Sequence, residues 1–169
     1  MYVVPEVCIY EFNKNETCNL DDITEDFCFL FNGRWDLSAE SDRKNIELLI
    51  KSFIATFHEE NIQTKPALVL KTNNLNYSQI DKNRVVCRIN EIIEDVNSEI
   101  KLPSIYLVHG ELSTSEVNSL YKSDKIKCYV SCSRGESFGR PVLEASMVGL
   151  PTLVSGWSSV TEIITNEQN

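Results

Sequence analysis

Two glutamates, Glu136 and Glu144, stand with seven residues between them on either side of Ser137-Phe138-Gly139-Arg140-Pro141-Val142-Leu143. The polar turn from Ser131 to Gly139 leads into Pro141, a residue favoured at the first helical position because its missing N–H costs nothing there. A helix is expected from Val142 to Val148, stopped by Gly149 and blocked from continuing by Pro151. The turn therefore faces the positive end of a helix, which suits an anion or a polyhydroxyl ligand. One carboxylate lies at the mouth of that site and the other beside the helix start, both able to accept hydrogen bonds from hydroxyls. No nucleophile–histidine–acid arrangement competes with this reading. His58 and His109 have no motif around them, and His109 reads as a strand-end residue.

The elements that must position these residues follow from apolar periodicity. Phe27 to Phe31, Ala67 to Leu70, Ile105 to Val108, Cys128 to Val130 and Thr152 to Val154 are short apolar runs, too apolar for a half-exposed sheet. Between them lie helical stripes. Ile46, Leu49, Ile50, Phe53, Ile54 and Phe57 form one, and Val85, Ile89, Ile92, Val96 and Ile100 another within Gln79 to Ile100. Ser113 and Glu116 make a capping box for a third helix carrying Val117, Leu120 and Tyr121, and a last helix is expected near Ser159. Alternation of strand and helix predicts right-handed β-α-β units and an α/β doubly wound parallel sheet, in the order 3-2-1-4-5. Ligands in such sheets bind at the carboxyl ends of the strands flanking the reversal, here Gly33-Arg34 and Ser131 to Gly139.

The run from Glu136 to Ala145, followed by Gly149-Leu150-Pro151, resembles the E-x7-E signature of retaining GT-B glycosyltransferases of group 1, which use nucleotide-diphosphate sugars. The resemblance implies a Rossmann-like domain, the C-terminal half of a GT-B fold. It also implies roles. Arg34 (in Gly33-Arg34) and Lys44 (before Asn45) match the cations that bind the donor diphosphate and, with Glu136, would form the catalytic set. Charge building on a leaving diphosphate is stabilised by such fixed cations. Gly33, Ser137, Phe138, Gly139, Arg140 and Glu144 would bind the donor, Glu144 through the ribose hydroxyls and Glu136 through the sugar. Ser137 stands where glycine is commonest, which leaves the sugar open. Read by themselves, Arg34, Lys44, Arg134 and Arg140 are ordinary solvated charges. Glu144 by itself is a helix-start glutamate favoured by about 0.3–1 kcal/mol. The chain has no Asp-x-Asp pair, in agreement with a mechanism that uses no metal and no cofactor beyond the nucleotide-sugar substrate.

Residues 1–26 resemble the linker that enters the donor domain, and residues 27–169 the domain itself, incomplete at its C-terminus. An N-terminal acceptor domain or separate subunit is therefore expected as a partner, and the chain by itself is expected not to transfer sugar. A non-enzymatic doubly wound interaction module, or another GT-B enzyme such as an epimerase or phosphorylase, are the alternatives. Composition narrows the classes further. With 169 residues, 42% apolar and 24% charged, the chain has the makeup of one globular domain. A net charge of −9 argues against nucleic acid as a partner. No apolar run reaches the length of a membrane span, and the start carries no basic region of a signal peptide. Six cysteines without a C-x-x-C read as reduced, mostly buried thiols of a cytoplasmic protein, with Cys132 a small buried residue.

Overall fold

The computed structural model describes residues 18, 20–38, 40–58, 65–96 and 102–164. In chain order the elements are β1 (Cys28–Asn32), α1 (Ile46–Phe57), β2 (Ala67–Lys71), α2 (Gln79–Asp95), β3 (Ile105–Val108), α3 (Thr114–Tyr121), β4 (Ile126–Ser131), α4 (Arg140–Met147), β5 (Thr152–Val154) and α5 (Val160–Ile163). The five strands form one sheet in the order β3-β2-β1-β4-β5, with every pairing parallel. The sheet is the doubly wound, Rossmann-like arrangement expected from the alternation of strand and helix, and it reverses between β1 and β4.

Strand residues divide between two cores by the two-residue period of a pleated sheet. Phe31, Leu68, Leu70 and Val130 face α1 and α2, where they meet Ile50, Phe53, Ile54, Val85 and Ile92. Cys28, Leu30, Ala67, Val69 and Tyr129 face the other way, against Leu120, Tyr121, Val142, Ala145 and Val160 of α3, α4 and α5. Leu20 and Ile23, from the segment that precedes β1, are buried in this second core. The sheet is thus covered on both faces, which explains why its strands read as continuous apolar runs.

Several boundaries differ from the sequence expectation. The register of β1 on β4 slips between Cys28 and Phe29, which pair with Ile126 and Cys128, so Lys127 is left over as a bulge. This lets β4 begin at Ile126, two residues before the expected Cys128, with Ile126 and Tyr129 on the same face. The α4 helix begins at Arg140, with Pro141 in its first turn but second rather than first, because Gly139 takes the left-handed conformation (φ 83°) and supplies the N-cap. It also ends at Met147, one residue early. Lys44, ten residues after Arg34 and expected to begin the first helix, lies two residues ahead of α1. Of the thiols, Cys28 is buried, and burial pushes it up to about 11. Cys18, Cys128 and Cys132 are half-buried, but Cys87 is exposed on the outer side of α2, so the expectation of burial fails there. Cys8, Ile100 and residues 1–17 of the expected linker lie outside the described residues.

Candidate functional site

The loop after β1 (residues 33–45) and the loop after β4 (residues 132–139) meet over the carboxyl ends of the central strands. The backbone sews them together. Arg134 donates its N–H to the Arg43 carbonyl at 2.8 Å, and the Ser133 hydroxyl donates to the same oxygen at 3.3 Å. Across this seam Lys44 donates to one Glu136 oxygen, and Arg43 donates to the other at 3.0 Å. The Lys44 and Glu136 side chains are only 12% and 10% exposed, whereas Arg43 is 57% exposed. Burial raises the Glu136 carboxyl, but hydrogen bonds from Lys44 and Arg43 outweigh it and hold the group below its ordinary value. Glu136 is therefore an ionised carboxylate with fixed cationic partners.

Local backbone chemistry explains why this pair forms. Asn45, directly after Lys44, has φ 56° and ψ 41°, a left-handed conformation that few residues besides glycine and asparagine adopt readily. Gly33 serves by its size, since an added Cβ would stand 3.1 Å from Phe31 Cζ and 3.5 Å from Lys44 Cε. The backbone of Glu136 is gripped from beyond β5. The Ser158 hydroxyl accepts its N–H at 3.1 Å and donates to its carbonyl at 2.6 Å, while Ser159 donates to that carbonyl at 2.9 Å.

Glu144 occupies a different corner. It is 8% exposed, one turn into α4, and accepts from Arg140 Nε at 2.9 Å and from the Tyr121 hydroxyl at 3.2 Å. A cleft of about 320 Å³ opens beside it, lined by Asn32, Leu112, Thr114, Asn118, Arg140 and Glu144 among others. The start of α4 links this cleft to the Lys44–Glu136 pair, because residues 137–139 run directly between them. At the start of α4 the N-cap is Gly139, which has no side chain to cap with, and the N–H groups of Val142 and Leu143 donate to its carbonyl at 2.9 and 3.1 Å. Asp42 Oδ2 accepts from Ile46 and Glu47 at the start of α1, Ser78 caps α2, and Ser113 with Glu116 boxes α3.

The structure thus brings Lys44 and Glu136 together, packs Gly33 beneath them, and sets Gly139, Arg140 and Glu144 around the α4 terminus. Phe138 is half-buried and Ser137 exposed in the connecting turn. Arg34 stands apart. It is exposed, and its Nε donates to the Asn74 carbonyl at 2.7 Å on the loop after β2, with no bond to the Lys44–Glu136 pair. His109 is a strand-end residue as expected, bonded to Asp81 at 3.0 Å with its side chain 3% exposed. Trp35 is buried in the core, but Trp157 is 55% exposed. No group of three or more His, Cys, Asp or Glu side chains that could hold a metal occurs among the described residues. Arg43, Asn32, Tyr121 and Ser158 were not singled out from sequence. Arg43 had a signal in its adjacency to Lys44, whereas Tyr121 looked like one more member of an apolar stripe.

Residues 93–169, which carry both glutamates and the α4 terminus, match the family model of the glycosyl transferases group 1. Solved structures extend the likeness to the whole sheet. The C-terminal domain of a glycosyl transferase group 1 family protein (LpcC) from Francisella tularensis is similar over 88% of this chain and 68% of its own, at 17% identity and a TM-score of 0.62. Anabaena HepE, solved in complex with UDP-glucose, is similar over 83% of this chain at 15% identity and a TM-score of 0.55. The N-terminal domain of Candida albicans trehalose-6-phosphate phosphatase is similar over 85% at 14% identity and a TM-score of 0.58. The chain spans 33% and 30% of the length of those last two. No curated protein matches the chain significantly. The fold is that of the C-terminal half of a GT-B protein. No described helix is long and apolar enough to cross a membrane.

Proposed function

We propose that the chain is the nucleotide-diphosphate-sugar-binding domain of a retaining glycosyltransferase that moves a hexosyl group to an acceptor. The carrying observation is the position of the α4 start, turned by left-handed Gly139, between the Lys44–Glu136 pair and the Glu144 cleft. A helix N-terminus left without a side-chain partner attracts phosphate through its N–H groups and its dipole. Placing the donor diphosphate there sets its ribose hydroxyls toward Glu144 and its sugar toward Glu136. Lys44 then has a phosphate to share with Glu136, and Arg34 reaches the diphosphate by leaving the Asn74 carbonyl. HepE, of like fold, is solved with UDP-glucose, which makes uridine diphosphate the first ligand to try.

In this reading the leaving phosphate takes the acceptor's proton on the face from which it departs, so the protein supplies no nucleophile. Lys44 and Arg34 balance the charge that builds on that phosphate, and no metal is needed. Transfer also needs an acceptor hydroxyl held about 3–3.5 Å from the anomeric carbon with water excluded. The single crevice described here forms one wall of such a site. The second wall is assigned to an acceptor domain or partner subunit, without which this chain binds donor and transfers nothing.

Calorimetry tests the reading. The chain should bind a nucleoside diphosphate more tightly than the monophosphate, and Lys44→Ala or Arg34→Ala should each weaken diphosphate binding about tenfold or more, as loss of a charge-assisted contact implies. Unchanged affinity in both variants would remove these cations from the site.

A further inference from the structure

The Tyr121 hydroxyl sits between two residues of the Glu144 cleft without lining it. The residue is 2% exposed, and its ring packs against Tyr129 with centroids 6.2 Å apart. Asn32 Nδ2 donates to the hydroxyl at 3.0 Å, and the hydroxyl donates to Glu144 Oε2 at 3.2 Å. The Asn32 carbonyl is itself taken by the Tyr129 hydroxyl at 3.4 Å, so the strand end that carries Asn32 is also held. An amide nitrogen can only donate and an ionised carboxylate can only accept. Of these two partners, only Glu144 can accept the phenol proton.

Glu144 has two fixed neighbours of unlike quality. Arg140, on Oε1, is 56% exposed, while Tyr121, on Oε2, is buried. The buried partner sets the carboxylate plane. With one partner on each oxygen, each keeps a second acceptor position, and two adjacent acceptors match two adjacent hydroxyls.

Resting on the reading of Glu144 as the ribose carboxylate, we propose that Tyr121 is a positioning residue for diol recognition. Its hydroxyl, fixed by Asn32, holds Glu144 in the orientation that accepts the vicinal 2′- and 3′-hydroxyls of the donor. Tyr121 does not touch the ligand, and its contribution appears only when a diol is present.

The test compares Tyr121→Phe with the parent chain by calorimetry. The ligands are the tightest of uridine, guanosine and adenosine diphosphates, its 2′,3′-dideoxy counterpart, and pyrophosphate. The parent chain should prefer the ribonucleotide over the dideoxy form by about tenfold. The Tyr121→Phe variant should lose about fivefold or more on the ribonucleotide and stay within about twofold on the other two ligands. If the parent shows that preference and Tyr121→Phe keeps it, or loses all three affinities equally, Tyr121 does not position the diol site while the ribose reading stands. If the parent binds no nucleotide, or shows no preference for the diol, both readings fall together. Should Tyr121→Phe not fold by circular dichroism, Asn32→Ala removes the donor that fixes the phenol oxygen. It should show the same diol-selective loss at smaller size, and an undiminished diol preference there overturns the proposal.

Discussion

The starts of α1 and α4 both sit at the carboxyl edge of the sheet, on neighbouring strands, yet they are finished in opposite ways. At α1 the protein fills its own helix end. Asp42 is 4% exposed, and its Oδ2 takes the N–H groups of Ile46 at 2.8 Å and Glu47 at 3.3 Å. At α4 the capping residue is a glycine in a left-handed turn, Pro141 lies in the first turn, and no side chain closes the terminus. A carboxylate already inside the protein stabilises the fold and leaves no room for a ligand's anion. An open terminus is stabilising only when something else brings the charge. Comparing the two ends separates a helix start closed by a buried carboxylate from one that no N-cap side chain closes.

Exchanging the properties of the two ends should have the largest effect. Asp42→Ala should cost about 2–3 kcal/mol in urea denaturation, since it removes a buried acceptor of two N–H groups, and should leave diphosphate affinity within about twofold. Gly139→Ala should show the other pattern. Its φ of 83° adds roughly 1–2 kcal/mol of strain, and the new Cβ meets Val160 Cγ1 at 3.4 Å. Diphosphate binding should weaken along with stability, as the terminus shifts. If Asp42→Ala impaired binding more than Gly139→Ala did, the assignment of the two ends would be reversed.

A pH titration sharpens the same contrast at α2, another self-occupied end. Asp81 is buried, which opposes ionisation. Hydrogen bonds from His109 and from the N–H groups of Leu75, Asn74 and Asn76 nevertheless lower it to about 2. A carboxyl lowered in the folded state stabilises above its unfolded value of 3.8 and loses that contribution as pH falls toward 2. The parent chain should therefore lose about 2 kcal/mol more than Asp81→Asn between pH 5 and pH 2, by denaturant melts at each pH. Equal losses would show that the loop is not held by this charge.

The smallest effect expected is none at all. If Lys44, Arg34 and the α4 terminus carry the diphosphate, its affinity should be the same in EDTA as in magnesium or manganese. A collapse on chelation, restored by the metal, would mean that the open end is filled by a metal–phosphate complex.

The order of the sheet could be read from the chain because each strand is apolar on both faces and each helix has a single stripe. These are local signals that tertiary packing reinforces. The strand order β3-β2-β1-β4-β5 follows from them with the handedness of the crossovers. The start of β4 was missed because Lys127, polar and exposed, interrupts the apolar run at the bulge. Cys87 was misjudged because residue type alone does not say which side of α2 a position faces. In the site, Lys44-Asn45 stood out only through the resemblance, and the structure adds a physical correlate: the residue after the lysine has a positive φ. The partners were not legible. Arg43 reaches Glu136 across 93 residues and Tyr121 reaches Glu144 across 23, and neither pairing leaves a mark in local sequence.

The grip of Ser158 and Ser159 on Glu136 places a timing constraint on the crevice. The residue holding the glutamate's amide and carbonyl lies 22 positions further along the chain. A ribosome that has just released β5 has made all five strands and each of the charges named above, yet the Glu136 backbone still lacks its fastener. Assembly of the Glu136 end of the crevice therefore trails assembly of the sheet. A nascent chain held so that β5 has left the ribosomal tunnel and Ser158 has not would display a formed sheet and an unfastened Glu136 loop.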